Sequence, residues 1–377
     1  MLKQTISTKY INSHHMKSFL VLFLSIFTLY SLVAQGIKVV QRPQEPKKPY
    51  PYFSEDVMFQ NQEAKISLSG TLTLPKNKND FPVVVLISGS SPYNRNEEIA
   101  GHKPFLVIAD HLTRNGIGVL RYDDRGVGQS EGKYEMAAYT DRTSDVESAI
   151  AYLRTRKDIS KRKIGLIGHS EGGLIAPRVA SRQKDISFIV LLAAPAIPGY
   201  DMILLQTETR NKARGISDAK IKVELAFLKG IFDVVIAASD LEKAKSHLAD
   251  SLTAHPEHLP EGMKAENVDA IVETFTAPWF QNILRYNPGI SLENVKCPVL
   301  AINGGKDLQI PPKENLDAIK KALKKGGNEK VTIKKLPNLN HLFQEAETGL
   351  PDEFSTIEQT FSPIALKEIT NWIRKSE

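Results

Sequence analysis

Short apolar runs alternate with longer amphipathic segments along most of the chain. The candidate strands are residues 66–74, 83–87, 117–122, 164–167, 188–193, 299–302 and 331–333, and most of them are apolar at every position. Such runs are typical of strands that are buried on both faces of a parallel sheet. Segments with the length and spacing of helices lie between them, at residues 105–114, 141–154, 174–181, 312–323 and 357–373. The pattern predicts an α/β fold with an open, mostly parallel sheet flanked by helices.

One long interval, from residue 193 to residue 299, interrupts this alternation and contains no convincing strand. Its apolar residues recur every three or four positions, as on one face of a helix: Ile221, Leu225, Leu228, Phe232 and Val235. An insertion that follows a strand of an open α/β sheet lies at the carboxyl edge, where ligands bind. We therefore predict a helical cap at residues 198–295, between two parts of the core at residues 53–197 and 296–377. An extension that faces away from the site is the alternative.

The first 35 residues have the layout of a secretory signal peptide. Residues 19–34 carry no charge and follow Lys17, and polar sequence resumes at Gln35. An uncleaved membrane anchor or a buried core helix are the alternatives, and Met16 is an alternative start. Residues 36–52 are rich in Pro and Lys and predict an extended lead-in. We expect an exported protein, periplasmic or extracellular.

The composition is that of an ordinary globular protein, with 377 residues of which 41% are hydrophobic and 24% are charged. A single cysteine, Cys297, excludes a disulfide framework and a cysteine-based metal cluster within the chain. The formal charge is +6, but residues 1–35 hold three Lys and no acid, so 46 basic and 43 acidic side chains remain beyond them. This near balance argues against nucleic-acid binding.

Two segments have the pattern Gly-x-Ser-x-Gly. The better candidate for a nucleophile elbow is GHSEG at 168–172, which follows an apolar strand and runs directly into a helical pattern. Its glycines permit a tight turn and a close approach of strand and helix. The other, GQSEG at 128–132, follows a polar loop and precedes no immediate helix. Ser170, rather than Ser130, is the predicted nucleophile.

A serine hydroxyl needs a base, and in this arrangement the chain order is Ser, acid, His. His341 is the histidine that remains after those in the leader, the first helix, the elbow and the insertion are set aside. Asp307 is the predicted acid, because no other acid between Ser170 and His341 comes so soon after a sheet strand. The alternatives are a surface-loop histidine without a role and a turn-capping aspartate.

A developing oxyanion needs preorganised N–H donors. We expect them to be the main-chain N–H of Glu171 and that of Ser90, in the loop after the strand at 83–87. An ordinary Gly/Ser turn is the alternative for Ser90. Trp279 and Phe280 either line a substrate pocket or pack inside the cap.

Two other motifs point to no further chemistry. RYDDRGVG at 121–128 follows a strand but lacks Gly-x-Gly-x-x-Gly spacing and opens no helix, so we expect a charged network that braces the site, not a nucleotide site. His255 and His258 would need further metal ligands that the sequence does not offer, so we expect a solvated loop. No metal or organic cofactor is expected.

Together these motifs resemble the α/β-hydrolase superfamily, particularly its capped, secreted bacterial esterases near the serine aminopeptidase-like and cinnamoyl-esterase groups. The resemblance covers roughly residues 55–375 and rests on ISGSSPYNR, RYDDRGVGQSEG, GHSEGG, INGGKDLQIPPKENL and LPNLNHLF. The triad that it implies is Ser170, Asp307 and His341, with Ser90 and Glu171 as oxyanion donors. Many relatives have His-Gly where this chain has Ser88-Gly89, which should leave the backbone donors usable.

The sequence thus predicts an exported serine hydrolase that cleaves small-molecule carboxylic esters through an acyl-enzyme intermediate. The nearest alternative is a serine aminopeptidase or dipeptidyl-type peptidase, which would need an acidic subsite for the free amine. A noncatalytic ligand-binding protein with the same fold is the alternative of another class. Membrane contact is expected only through an uncleaved N-terminal segment.

Overall fold

The computed structural model describes residues 40–76, 80–134, 137–160, 163–255, 259 and 267–376. The predicted signal peptide at 1–35, the alternative start at Met16 and the first part of the lead-in lie outside these residues. So does His258 of the weighed metal motif.

Eight strands of the described residues form one sheet, in the order β1-β2-β4-β3-β5-β6-β7-β8. Their bounds are β1 Phe53–Asn61, β2 Ile66–Leu74, β3 Val83–Ile87, β4 Gly118–Tyr122, β5 Ile164–His169, β6 Phe188–Leu192, β7 Val299–Gly304 and β8 Val331–Leu336. β2 pairs antiparallel with β1 and with β4, and every other neighbouring pair is parallel. The predicted α/β class with a mostly parallel sheet is confirmed.

Helices lie on both faces of the sheet and between β6 and β7. Their bounds are α1 Pro104–Arg114, α2 Tyr139–Thr155, α3 Gly172–Arg182, α4 Gly199–Ala213, α5 Asp218–Ala237, α6 Leu241–Ala254, α7 Val268–Phe275, α8 Pro278–Arg285, α9 Gly289–Leu292, α10 Pro312–Lys325 and α11 Pro363–Lys375. None of the helices in the described ranges is both long and apolar enough to cross a membrane.

The continuously apolar strands follow from cover on both faces. In β3, Val83, Val85 and Ile87 join a hydrophobic cluster with α2, α3 and α10. Val84 and Leu86, which alternate with them, join a second cluster with α1 and α11. Because successive side chains of a strand point to opposite faces, a strand covered on both sides must be apolar at every position.

Six helices, α4 to α9, follow β6 before the chain re-enters the sheet as β7. Five of them contribute to a separate hydrophobic cluster, with Leu204, Phe232, Leu248, Ile271 and Phe280 as buried members from α4 to α8. The helical layer also contacts the rest of the fold through Gln206 of α4, whose Nε2 donates to the Gln309 carbonyl oxygen at 3.0 Å. The layer's role as a cap over a site stays a prediction.

Two elements differ from the expected pattern. β1 was not predicted, because only Val57, Phe59 and Asn61 of its nine residues are buried. It is an edge strand that pairs with β2 alone, so most of its side chains face solvent. The last helix begins at Pro363 rather than at 357, because Ser362 caps it by accepting a hydrogen bond from the Ile364 N–H.

Candidate active site

Ser170 lies on a sharp turn between β5 and α3. Its φ of 51° is in the left-handed region that side chains other than glycine rarely adopt. A Cβ on Gly168 would lie 2.2 Å from the Gly172 carbonyl oxygen, and one on Gly172 would lie 2.1 Å from the Ile87 carbonyl oxygen. Both glycines are therefore required by backbone contacts, and the turn has the geometry of a nucleophile elbow.

His341 and Asp307 meet Ser170 from two loops that follow neighbouring strands. The Nε2 atom of His341 lies 3.1 Å from Ser170 Oγ. Its Nδ1 atom lies 2.9 Å from Asp307 Oδ2, and both side chains are buried. Asp307 Oδ1 also accepts hydrogen bonds from two main-chain N–H groups, those of Gln309 and Ile310. The carboxylate is thus fixed from both sides, and it holds the imidazole with Nε2 free to accept the serine proton.

The loop after β3 passes directly over Ser170. A Cβ on Gly89 would lie 3.5 Å from Ser170 Cβ, and the Gly89 N–H donates to Glu97 Oε1 at 2.8 Å. Within the described part of the chain, neither the Ser90 N–H nor the Glu171 N–H donates a hydrogen bond to another group. The Glu171 N–H follows Ser170 directly and stands at the positive end of the α3 dipole, and Ser90 is the residue after Gly89. The oxyanion role of Ser90 and Glu171 stays a prediction.

A buried cation braces the loop that carries Ser90. Arg142 of α2 donates to the Ser88 carbonyl oxygen at 2.9 Å and pairs with the Glu171 carboxylate. Asp124, after β4, accepts hydrogen bonds from Ser88 Oγ and from the Tyr93 N–H at 3.1 Å. Burial raises the pKa of Asp124 to about 6, against the opposing effects of Arg142 and of the Ser88 hydrogen bond.

A second cation holds the segment after that loop to the sheet. Arg95 donates to Asp123 Oδ2 at 2.7 Å and to the Gly70 carbonyl oxygen of β2 at 2.7 Å. Arg125 pairs with Asp145 at 2.7 Å, and both side chains are buried. The RYDDR segment therefore lies in a charged network next to the site. Such a network is expected from the sequence, but Arg142 and Glu97 are not among its predicted members, because neither belongs to a motif and both lie in polar stretches where a charge is not distinctive.

Ser130, the serine of the other Gly-x-Ser-x-Gly segment, is held by two main-chain groups. Ser130 Oγ accepts from the Ser69 N–H at 2.9 Å and donates to the Asp123 carbonyl oxygen at 2.7 Å. No histidine of the described residues bonds to it. Ser130 thus has a structural role in this loop, and Ser170 as the nucleophile stays a prediction.

The two aromatic residues weighed for a substrate pocket lie on α8. Phe280 is 3% exposed and packs against Phe232 and Phe275 inside the helical layer. This is the packing alternative, not the pocket one. Trp279 contacts the Phe280 ring edge-to-face and is 36% exposed, and a pocket role for it stays a prediction.

No group of three or more potential metal ligands occurs within the described ranges. His255, the described histidine of the weighed metal motif, follows the end of α6.

Comparisons with known proteins converge on one superfamily. Residues 103–347 match the family described as Serine aminopeptidase, S33. Esterase EstD of Thermotoga maritima is 26% identical over 329 residues, which are 86% of this chain and 70% of that protein. Uncharacterized protein YfhR of Escherichia coli K12 is 24% identical over 276 residues, which are 69% of this chain and 90% of that protein.

Two solved structures have a similar course of the chain. The α/β hydrolase GrgF from Penicillium sp. sh18 superposes with a TM-score of 0.52 at 16% identity, over 86% of this chain and 99% of that one. The esterase Pf2001 of Pyrococcus furiosus superposes with a TM-score of 0.51 at 18% identity, over 86% of this chain and 91% of that one. At such identities the likeness shows the fold alone.

Proposed function

The chain belongs to the serine aminopeptidase family S33 of the α/β hydrolases, and we propose that it is an exported serine hydrolase that cleaves carboxylic esters of small molecules. One observation carries the proposal: Asp307, His341 and Ser170 form a continuous line of hydrogen bonds with contacts of 2.9 and 3.1 Å. The name of its relative esterase EstD supports the ester as the bond that is cleaved.

The reaction uses each of these contacts in turn. Ser170 Oγ attacks the ester carbonyl carbon while His341 Nε2 takes the hydroxyl proton, and Asp307 stabilises the imidazolium that forms. The carbonyl oxygen becomes negative and accepts hydrogen bonds from the Ser90 and Glu171 N–H groups. His341 then gives the proton to the departing alcohol, which leaves an acyl-Ser170 ester. Water, deprotonated by His341, attacks this ester; the acyl C–Oγ bond breaks, His341 returns the proton to Ser170 Oγ, and the carboxylic acid leaves the free serine.

The carboxylates next to Ser170 favour an ester over an N-terminal peptide. A peptidase that removes N-terminal residues needs an acid to bind the substrate ammonium group. The Glu171 carboxylate is paired with Arg142, and Glu97 Oε1 is bonded both by the Gly89 N–H and by the His169 ring. Glu171 could bind an amine only by breaking its ion pair with Arg142, which is strongly destabilising, and the Oε2 atom of Glu97, which has no partner among the described residues, is shut off from solvent.

Export is proposed from the leader sequence alone, since residues 1–35 lie outside the described part of the chain. Three lysines precede an uncharged run at 19–34, and no acid occurs there. Expression of the full chain in a Gram-negative host, followed by cell fractionation and N-terminal sequencing, tests this part. A periplasmic product that begins near residue 36 is expected, and a cytoplasmic product with an intact N-terminus would contradict export.

The activity is tested on the purified chain with a p-nitrophenyl ester series from acetate to laurate and with aminoacyl and dipeptidyl p-nitroanilides. Ser170→Ala is the inactive variant, and Ser130→Ala is the matched control in the other Gly-x-Ser-x-Gly segment. We expect ester hydrolysis in the wild type and in Ser130→Ala, none in Ser170→Ala, and labelling of the wild type by a fluorophosphonate. Faster cleavage of the anilides than of the esters would replace the esterase by the peptidase. Absence of both activities and of labelling would favour the noncatalytic alternative.

A further inference from the structure

His169, the residue before the nucleophile, is held at both ring nitrogens by oxygen atoms. Its Nδ1 atom lies 2.9 Å from Glu97 Oε1, and its Nε2 atom lies 3.0 Å from the main-chain carbonyl oxygen of His341. Both His169 and Glu97 are buried. The reaction described above uses neither side chain, so this pair needs a separate explanation.

The hydrogen-bond pattern indicates the charge of the ring. A carbonyl oxygen only accepts, so Nε2 of His169 carries a hydrogen. Glu97 Oε1 already accepts the Gly89 N–H at 2.8 Å, and Glu97 Oε2 has no hydrogen-bond partner among the described residues. A proton on Oε2 would leave Oε1 facing a lone pair of Nδ1. A proton on Oε1 would give a neutral pair, but the Gly89 N–H would then donate to a hydroxyl oxygen, whereas a hydrogen on Nδ1 gives a charge-assisted bond and leaves a carboxylate that accepts from both donors. The pattern therefore favours an imidazolium at His169 and a carboxylate at Glu97.

The surroundings of the ring agree with a cation. Burial acts to lower the pKa of His169, but the charge and hydrogen bond of Glu97 outweigh it, so the pKa is raised. The His341 carbonyl and the Asp307 carboxylate act in the same direction. The His341 ring, whose centroid is 5.0 Å away, opposes this charge when it is itself protonated.

We propose that Glu97 and His169 form a buried carboxylate–imidazolium pair that sets the position of the oxyanion loop and of the His341 main chain relative to Ser170. The proposal rests on the proposed function and deepens it by adding two positioning residues to the same site. Glu97 holds the loop through the Gly89 N–H, one residue before Ser90. His169 is the last residue of β5. Its bonds to Glu97 and to the His341 carbonyl therefore connect that loop and the His341 loop to the sheet.

The cost of this arrangement is visible at Glu97 itself. Glu97 has a φ of 50°, a strained conformation for a residue with a side chain, and its N–H bonds back to the Asn94 carbonyl oxygen at 2.8 Å. Strain of this kind persists only where the surroundings impose it. The turn aims the carboxylate at the loop and at the ring together.

Two amide substitutions at residue 169 separate the two arms of the pair. In His169→Asn the amide nitrogen takes the place of Nδ1 and keeps the bond to Glu97, but the bond to the His341 carbonyl is lost. In His169→Gln the amide nitrogen reaches the place of Nε2 and keeps that bond, but the ion pair is lost. Glu97→Gln retains the shape of the acid and removes its charge. Asp110→Asn, in α1, is the matched control, because it removes a largely buried carboxylate that binds Arg114 and the Tyr52 hydroxyl outside this network.

Ester hydrolysis by these variants is measured as separate kcat and KM values, together with thermal unfolding. We expect kcat to fall about 10- to 100-fold in Glu97→Gln and in each His169 variant, with KM within about threefold, because a misplaced oxyanion donor weakens transition-state binding. Glu97→Gln combined with His169→Gln should be no worse than the poorer single variant, since both remove one pair. Asp110→Asn should lose stability and keep kcat. Wild-type kcat in Glu97→Gln and His169→Gln, with an active wild type and an inactive Ser170→Ala, would overturn the positioning role and leave the esterase intact.

The charge is tested without activity, by NMR of the ring nitrogens in protein labelled at histidine, with His169→Gln used to assign the signals. His102 is an internal comparison, since burial lowers its pKa although its Nε2 atom also faces a carbonyl oxygen, that of Phe354, at 2.8 Å. At neutral pH we expect two protonated nitrogens in His169 and one in His102. In Glu97→Gln the His169 ring should become singly protonated. A singly protonated His169 in the wild type would refute the pair.

Discussion

Replacing Asp124 by Asn should change the stability of the protein in a pH-dependent way. The Asp124 side chain is 4% exposed, and burial raises its pKa from 3.8 to about 6. The folded state therefore binds the Asp124 proton more tightly than the unfolded state does. This contribution to stability is fully present below about pH 3.8 and is lost as the pH rises through about 6. An asparagine has no such proton, so the variant lacks this dependence.

The size of the effect follows from the two pKa values. The pKa of Asp124 is taken as 3.8 in the unfolded state and about 6 in the folded state. Protonation of Asp124 then stabilises the folded state by about 1 kcal/mol at pH 5 and by almost nothing at pH 7.5. The difference in unfolding free energy, wild type minus Asp124→Asn, should thus fall by about 1 kcal/mol between these two pH values. Any fixed cost of placing an amide against Ser88 and Tyr93 cancels in this comparison, because it is the same at both.

Urea unfolding at the two pH values, followed by tryptophan fluorescence and circular dichroism, measures this difference. Asp317→Asn is the matched control, because its carboxylate is largely exposed on the outer surface of α10 and the charge change is the same. The control should show no such trend. A wild-type advantage that is equal at both pH values, or one that grows toward pH 7.5, would refute the reasoning and mean that Arg142 compensates the buried carboxylate fully.

Two further substitutions and one reagent test other parts of the molecule. Asp307→Asn should lower kcat for ester hydrolysis by about 10⁴-fold, because an amide cannot hold the imidazole in its working tautomer. The melting temperature should be nearly unchanged, since the amide oxygen still accepts the Gln309 and Ile310 N–H bonds. A kcat near that of the wild type would place the acid elsewhere. Ser130→Ala should lower the unfolding free energy by about 1–2 kcal/mol in urea titrations, since it leaves the buried Ser69 N–H and Asp123 carbonyl without their partner, while kcat is retained; loss of kcat with unchanged stability would contradict this. Burial raises the pKa of the Cys297 thiol to about 12. Ellman's reagent at neutral pH should therefore react with this thiol only after unfolding. Rapid reaction of the folded chain would show that the thiol is accessible.

The sheet could be predicted from the sequence because burial on both faces leaves a strong mark. Val83 to Ile87 are apolar without exception since α1 and α11 cover one side of β3 and α2, α3 and α10 cover the other. β1 has no such mark, because an edge strand needs apolar side chains on one face only, and its Phe53 and Met58 face solvent. In this fold, a strand is easier to predict from the sequence when other elements cover more of its surface.

The candidate site divides in the same way. The chemistry-bearing residues follow strands and stand next to glycines whose backbone contacts permit no side chain, so Ser170 and Asp307 are visible in local sequence. Glu97 and Arg142 are not visible in local sequence, because their partners lie far away along the chain. Glu97 binds His169, 72 residues later, and Arg142 binds Glu171, 29 residues later. A single sequence contains no signal for such a pairing.

This division has a physical reason that concerns how the site is held together. Apolar burial stabilises the sheet and the helices, but it is non-directional and does not place a loop to within a few tenths of an ångström. Hydrogen bonds to charged groups are directional and are stronger in a dry surrounding, so they can fix a loop that has little apolar surface of its own. The loop after β3 is fixed in this way by Glu97 at Gly89 and by Arg142 at Ser88. Loss of one of these charges should therefore lower stability, because a buried partner is left unpaired, and should also lower catalysis, because the bonds that aim the donors are separate from the apolar core that keeps the chain folded.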